Sequence, residues 1–142
     1  MSHSGALEAS KDSAVVRRVE ANPALELDQL VRRCMGCTAL AARLLDSFEK
    51  RFSAEVAQLV QAVDDGDVPR LVRLTHQLKG AAGNVSAMTL HSVLSRMEEA
   101  ARAQSLDLVV ASLKDLFDQW NCFLECKASA TLSLASLQAS NH

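Results

Sequence analysis

Within the stretch DVPRLVRLTHQLKGAAGN at 67–84, one histidine stands beside a lysine and two glycines at helical spacing. Leu71, Leu74, Leu78, Ala82 and Val85 recur three and four apart, the stripe of an amphipathic helix that faces a core. At about 100° per residue, His76 lies about 160° from Leu78 and points outward. Val72, Arg73, Lys79, Gly80 and Gly83 share its outer face. Two glycines inside a helix cost about 1 kcal/mol each relative to alanine, a penalty that local stability does not explain. With no side chain at Gly80 or Gly83, one flank of the imidazole is bare, so another protein's backbone or a bulky group can approach it. Lys79 sets a mobile ammonium beside the ring, suited to an anion as a point charge. Neutral imidazole is available at physiological pH. The chemistry is that of an exposed nitrogen nucleophile with a cation at hand.

Read in order, His76-Gln77-Leu78-Lys79-Gly80-Ala81-Ala82-Gly83-Asn84-Val85-Ser86-Ala87 resembles the histidine-containing phosphotransfer (HPt) domain of two-component phosphorelays. That family's pattern is His, any residue, Leu-Lys-Gly, then small residues running to a glycine before the next helix. Ser86 stands where the pattern has its last glycine. The resemblance implies an all-α fold, an antiparallel up-down-up-down four-helix bundle with a short N-terminal helical segment closing one end. It also implies that His76 is a phosphoacceptor, its Nε2 attacking phosphorus while Nδ1 needs an acceptor to hold the tautomer. Lys79, with Gly80 behind it, would help neutralise the phosphoryl group.

A helical hairpin turning near residue 87 brings His76 opposite Glu98, and the family often carries Glu or Gln there. Glu98 is therefore the candidate Nδ1 partner; the alternative is that Glu98 and Glu99 are solvated helix charges. Val72, Arg73, Gln77, Gly83 and Asn84 are expected to meet the partner. That partner would be a receiver domain of a response regulator or hybrid sensor kinase. Phosphoryl transfer needs in-line positioning and charge neutralisation, usually with Mg²⁺. The chain has no Gly-rich nucleotide loop and no obvious acidic metal cluster near His76. The receiver is thus expected to supply the Mg²⁺, and no cofactor, bound metal, kinase or ATPase activity is expected of the chain itself.

The elements that must position these residues follow from periodicity. Residues 1–11 are small and polar, with a short helix expected over 14–20, stopped before Asn22-Pro23. A second short helix is expected over 26–35. The first long helix should run from about Thr38, its hydroxyl capping, to Asp64, with Leu40, Leu44, Leu45, Phe48, Phe52, Val56, Leu59, Val60 and Val63 inward. Gly66 suits a left-handed helix end, Asp67 the next N-cap, and Pro69 a first turn. Ser86 is expected to cap a third helix from Ala87 to about Gln104, with Leu90, Val93, Leu94, Met97 and Ala101 inward. Ser105 or Asp107 would cap a fourth carrying Leu106, Val109, Val110, Leu113, Leu116, Phe117, Trp120, Phe123 and Leu124 inward. This divides the chain into an N-terminal extension (1–25), the bundle (26–127) and a tail (128–142) that either extends the last helix or hangs loose.

Length and composition set the remaining bounds. At 142 residues, 49% hydrophobic and 23% charged, the chain is one domain's worth with an adequate core. A net charge of −2 and a pI near 6.1 give no basic field to attract nucleic acid. No apolar run approaches the roughly 20 residues of a membrane span, and the N-terminus lacks a signal pattern. A cytoplasmic, free-standing monomer is expected.

Cys34 and Cys37 form a CxxC, and Cys122 and Cys126 lie one turn apart in a core-forming stretch. Two such pairs would suit zinc if they converged, whereas buried cysteine behaves as a small apolar residue. Cys37, near a helix N-terminus, is placed where a thiol can be redox-sensitive. His3, His91 and His142 have no supporting constellation. Two further readings stay open beside the phosphocarrier: a helical adaptor that docks a receiver or kinase without being phosphorylated, and a cysteine-based metal or redox bundle.

Overall fold

The computed structural model describes residues 24–140, with side chains to residue 136. Five helices follow one another: α1 Leu27–Arg33, α2 Thr38–Asp65, α3 Val68–Asn84, α4 Met88–Arg102 and α5 Leu106–Ser140. Among the described residues there is no strand. The helix expected over 14–20 lies outside the described residues. The connections are two to four residues long, and such short links make neighbouring helices antiparallel.

Cross-helix pairs confirm the directions. Phe52 stacks on Trp120 with centroids 4.1 Å apart, and Phe48 meets Phe123 edge-on at 5.2 Å, so α2 and α5 run oppositely. Each of α2 to α5 packs on the next, and α5 returns to α2, which closes the four-helix ring. Leu45, Phe52, Leu59, Leu71, Leu78, Leu90, Leu94, Met97, Leu116 and Phe123 are sealed inside it. Lys127 fastens α5 to α2, its ammonium 2.7 Å from both Asp46 and Glu49.

All four connections end their preceding helix in the same way. In each, one N–H closes back five residues and its predecessor closes back three. Gly36 donates to the Val31 carbonyl and Met35 to Arg32; Asp67 to Ala62 and Gly66 to Val63; Ala87 to Ala82 and Ser86 to Gly83; Ser105 to Ala100 and Gln104 to Ala101. This is the Schellman arrangement, whose penultimate residue is left-handed. The residues there are Met35 (φ 55°), Gly66 (φ 64°), Ser86 (φ 60°) and Gln104 (φ 58°).

That motif corrects several expectations. Ser86 is the left-handed residue ending α3, so Ala87 takes the N-cap of α4. Thr38 is the first helical residue of α2, and Cys37, with extended backbone, is its N-cap without a side-chain capping bond. Of the two caps expected for α5, Ser105 stands directly before its first residue, as expected, and Asp107 lies inside the first turn. Asp67 does cap α3, its Oδ1 accepting from the Arg70 amide at 3.2 Å. Leu44, Val110 and Phe117, expected inward, are 37%, 51% and 39% exposed. Each is adjacent to a buried residue (Leu45, Val109, Leu116) that takes the core-facing position, which turns these side chains about 100° away from it, toward the rim of the bundle.

α5 continues unbroken through the tail, where Ala130 and Leu134 are buried. Leu25, Leu27, Cys126 and Ala130 line a shallow groove between the leading segment and this helix. The leading segment is also tied to the turn after α3. The Glu26 amide donates to the Ser86 carbonyl at 3.0 Å, and the Arg33 guanidinium donates to the Gly83 carbonyl at 2.7 Å. A cation on a C-terminal carbonyl also suits the helix dipole.

Candidate functional site

α3 buries Leu71, Leu74, Thr75, Leu78, Ala81 and Ala82, which turns the opposite face to solvent. Thr75, the polar member of the buried set, satisfies its hydroxyl on its own helix through the Leu71 carbonyl at 2.8 Å. His76 follows it onto the outer face with its side chain 64% exposed. Arg73, Gln77, Gly80 and Asn84 are exposed there as well, and Val72 and Lys79 are half-buried.

α4 supplies the carboxylate. Glu98 has a side chain only 7% exposed, and its Oε2 lies 3.2 Å from His76 Nδ1. Its other oxygen, Oε1, is 2.8 Å from the Lys79 ammonium. Arg102, one turn on, donates to Oε2 through Nε at 3.1 Å and through a terminal nitrogen at 2.7 Å. The Lys79 ammonium, foremost, with Arg102 and His76, holds the Glu98 carboxyl down at about 2, against the opposing effect of burial. Glu98 is therefore ionised at neutral pH and can only accept hydrogen bonds. The hydrogen between it and the imidazole must then sit on Nδ1, and Nε2 is the ring nitrogen not engaged by this carboxylate.

The two glycines differ. A Cβ at Gly80 would meet nothing within 4 Å, so that flank of the outer face is open. At Gly83 a Cβ would come within 3.4 Å of the His91 ring. That is an ordinary van der Waals distance, so Gly83 faces His91 on α4 and not the open flank of His76 that was expected. His91, which had no supporting constellation in the sequence, is half-buried against α3.

Arg102 and Arg33 escaped the sequence reading. The four-residue step from Glu98 to Arg102 was a signal available for the first; nothing local pointed from Arg33 to Gly83.

The cysteines do not converge. Cys34 is buried and Cys37 exposed at the α1–α2 turn, while Cys122 is exposed and Cys126 half-buried on α5. Cys122, expected in the core, sits on the outer side of α5. Partial burial, with the nearby Glu125, pushes its thiol pKa up. Among the described residues no three His, Cys, Asp or Glu side chains are grouped to hold a metal ion. Nor is any described helix long and apolar enough to cross a membrane.

Comparison with known proteins agrees with this geometry at the level of the family. No curated protein and no solved structure matches the chain. The family model of the Hpt domain matches residues 43–125, a span that holds α3, α4 and the whole His76–Glu98 cluster. With more than half its length matched and a helical bundle around the motif histidine, the chain belongs to the Hpt domain family, whose members serve phosphotransfer in two-component signalling.

Proposed function

We propose that this protein is a phosphorelay intermediate: His76 accepts a phosphoryl group from a receiver-domain aspartyl phosphate and passes it to an aspartate on another response regulator. One observation carries the reading. The most exposed member of the cluster is an imidazole whose Nδ1 faces an ionised carboxylate at 3.2 Å, with its other nitrogen free to react.

In the forward step the Nε2 lone pair attacks phosphorus, and an N–P bond forms as the P–O bond to the aspartyl carboxyl breaks. The carboxylate leaves with the electron pair. Nδ1–H stays on Glu98, which stabilises the positive charge the ring takes on during transfer. Lys79 is near enough to exchange part of its contact with Glu98 for a phosphoryl oxygen. Glu98 in turn keeps Arg102 as a counter-ion when Lys79 moves. Val72, Arg73, Gln77 and Asn84 form the surface around the ring that a receiver would contact, and Gly80 leaves it level. Mg²⁺ and the remaining catalytic groups belong to the receiver in this reading, and the chain has no kinase activity of its own.

The test is incubation with a receiver phosphorylated on its aspartate. Label should move to the protein as acid-labile, base-stable phosphohistidine and be absent from His76→Gln. Undiminished labelling of that variant, or none of the unaltered protein by any receiver of a broad panel, would sink the assignment.

A further inference from the structure

We infer that Cys34 and Cys37 form a reversible intramolecular disulfide, a thiol modification site in the turn between α1 and α2. The phosphocarrier reading does not use these residues, and the inference stands apart from it. The Cys37 amide donates to the Cys34 carbonyl at 3.0 Å, so the two cysteines bracket a closed four-residue turn. The ends of such a turn are within about 7 Å at Cα, and a disulfide spans about 4.4–6.8 Å. The chain doubles back because both intervening residues are left-handed, Met35 at φ 55° and Gly36 at φ 81°.

Burial divides the work between the two sulfurs. Cys37 is exposed and makes no capping bond, so an external disulfide reaches it first. Cys34 is 5% exposed, which admits no bulky adduct but leaves its neighbour across the turn. With glutathione disulfide as oxidant, the Cys37 thiolate attacks one sulfur, forming a mixed disulfide and releasing glutathione thiolate. The Cys34 thiolate then attacks the Cys37 sulfur, and the second glutathione leaves. Two protein thiols lose two electrons and two protons, and one glutathione disulfide becomes two glutathiones. Such a short loop constrains the unfolded chain little, so the bond stays readily reducible.

The second pair provides the contrast. Cys122 and Cys126 are fixed four apart on continuous helix. Side chains so placed have Cβ atoms about 5–6 Å apart, beyond the roughly 3.5–4.5 Å a disulfide needs.

The experiment equilibrates the full chain in a series of reduced and oxidised glutathione mixtures, quenches with acid, alkylates the remaining thiols and maps tryptic peptides by mass. Peptide 34–43 contains both cysteines of the turn and neither of the others. The expected result is loss of two hydrogens from that peptide in oxidising mixtures, reversed by dithiothreitol and unaffected by Cys122→Ser. In Cys37→Ser, Cys34 should remain fully alkylatable after unfolding. The inference is overturned if both thiols alkylate throughout the series, or if Cys37 stops at the glutathione adduct without closing on Cys34.

Discussion

Glu98 ties His76 to two cations, and this makes its charge a stability term. Its folded pKa of about 2 lies below the ordinary 4.5. The unfolded chain therefore binds more protons between those values, and stability must fall as pH drops through that window. The shift corresponds to at most about 3 kcal/mol, reduced by the solvent that reaches the half-exposed Arg102. Denaturant unfolding at a series of pH values should show unaltered protein more stable than Glu98→Gln at pH 6, with the gap closing between pH 4.5 and 2. A gap independent of pH would mean that the carboxylate charge is not what holds this cluster.

How far this site could be read from the chain follows from the same contacts. His76, Lys79 and Gly80 lie on one turn of one helix, where residue type and phase suffice. Glu98 needed only the register of a hairpin. Arg102 was within reach of the same reading, four residues after Glu98 on α4, whereas the seating of His91 on Gly83 depends on how closely α3 and α4 approach, which no local pattern encodes.

At the scale of elements, three of the four Schellman turns place a residue other than glycine in the left-handed conformation. That is why the helix boundaries at Gly66, Asp67 and Pro69 were legible while those near Cys37 and Ser86 fall one residue from where Thr38 and Ser86 point. Serine and threonine before an apolar run look like N-caps, and nothing local shows that the position is already taken by the end of the preceding helix. Ser86 bears two costs: a left-handed backbone, worth about 1 kcal/mol, and a buried hydroxyl with no partner among the described residues. Ser86→Gly should relieve both, offset by roughly 0.5–1 kcal/mol of added freedom in the unfolded chain. A net gain of about 1 kcal/mol, or a few degrees in Tm, is expected. Ser86→Ala relieves the hydroxyl alone and should gain less. Thermal unfolding of the pair separates the two contributions, and a destabilised glycine variant would show that Ser86 is not strained in this turn.

Across the whole molecule, charge is sorted by helix in a way that the net value of −2 conceals. α2 carries five acidic residues against three basic ones, and α5 four against two. α3 carries Arg70, Arg73 and Lys79 with no acid between Val68 and Asn84. Lys79 is engaged by Glu98, whereas Arg73, one turn before His76, is exposed and has no ion-pair partner among the described residues. The face that carries His76 is thus the cationic side of an acidic molecule. A receiver would bring its aspartyl phosphate and the carboxylates that hold Mg²⁺ to this face. Attraction of that kind raises the encounter rate and is screened by salt over about 8–10 Å. Phosphotransfer from a receiver, followed under kcat/KM conditions, should therefore slow by roughly two- to tenfold between low and physiological ionic strength. Arg73→Gln should be slower at low salt and less sensitive to it. Labelling of His76 by phosphoramidate, a small donor that needs no docking, should be the same in both proteins. If Arg73→Gln keeps the full salt dependence, steering is carried elsewhere on the surface. If it also loses phosphoramidate labelling, Arg73 acts on the imidazole itself and not on the approach of the partner.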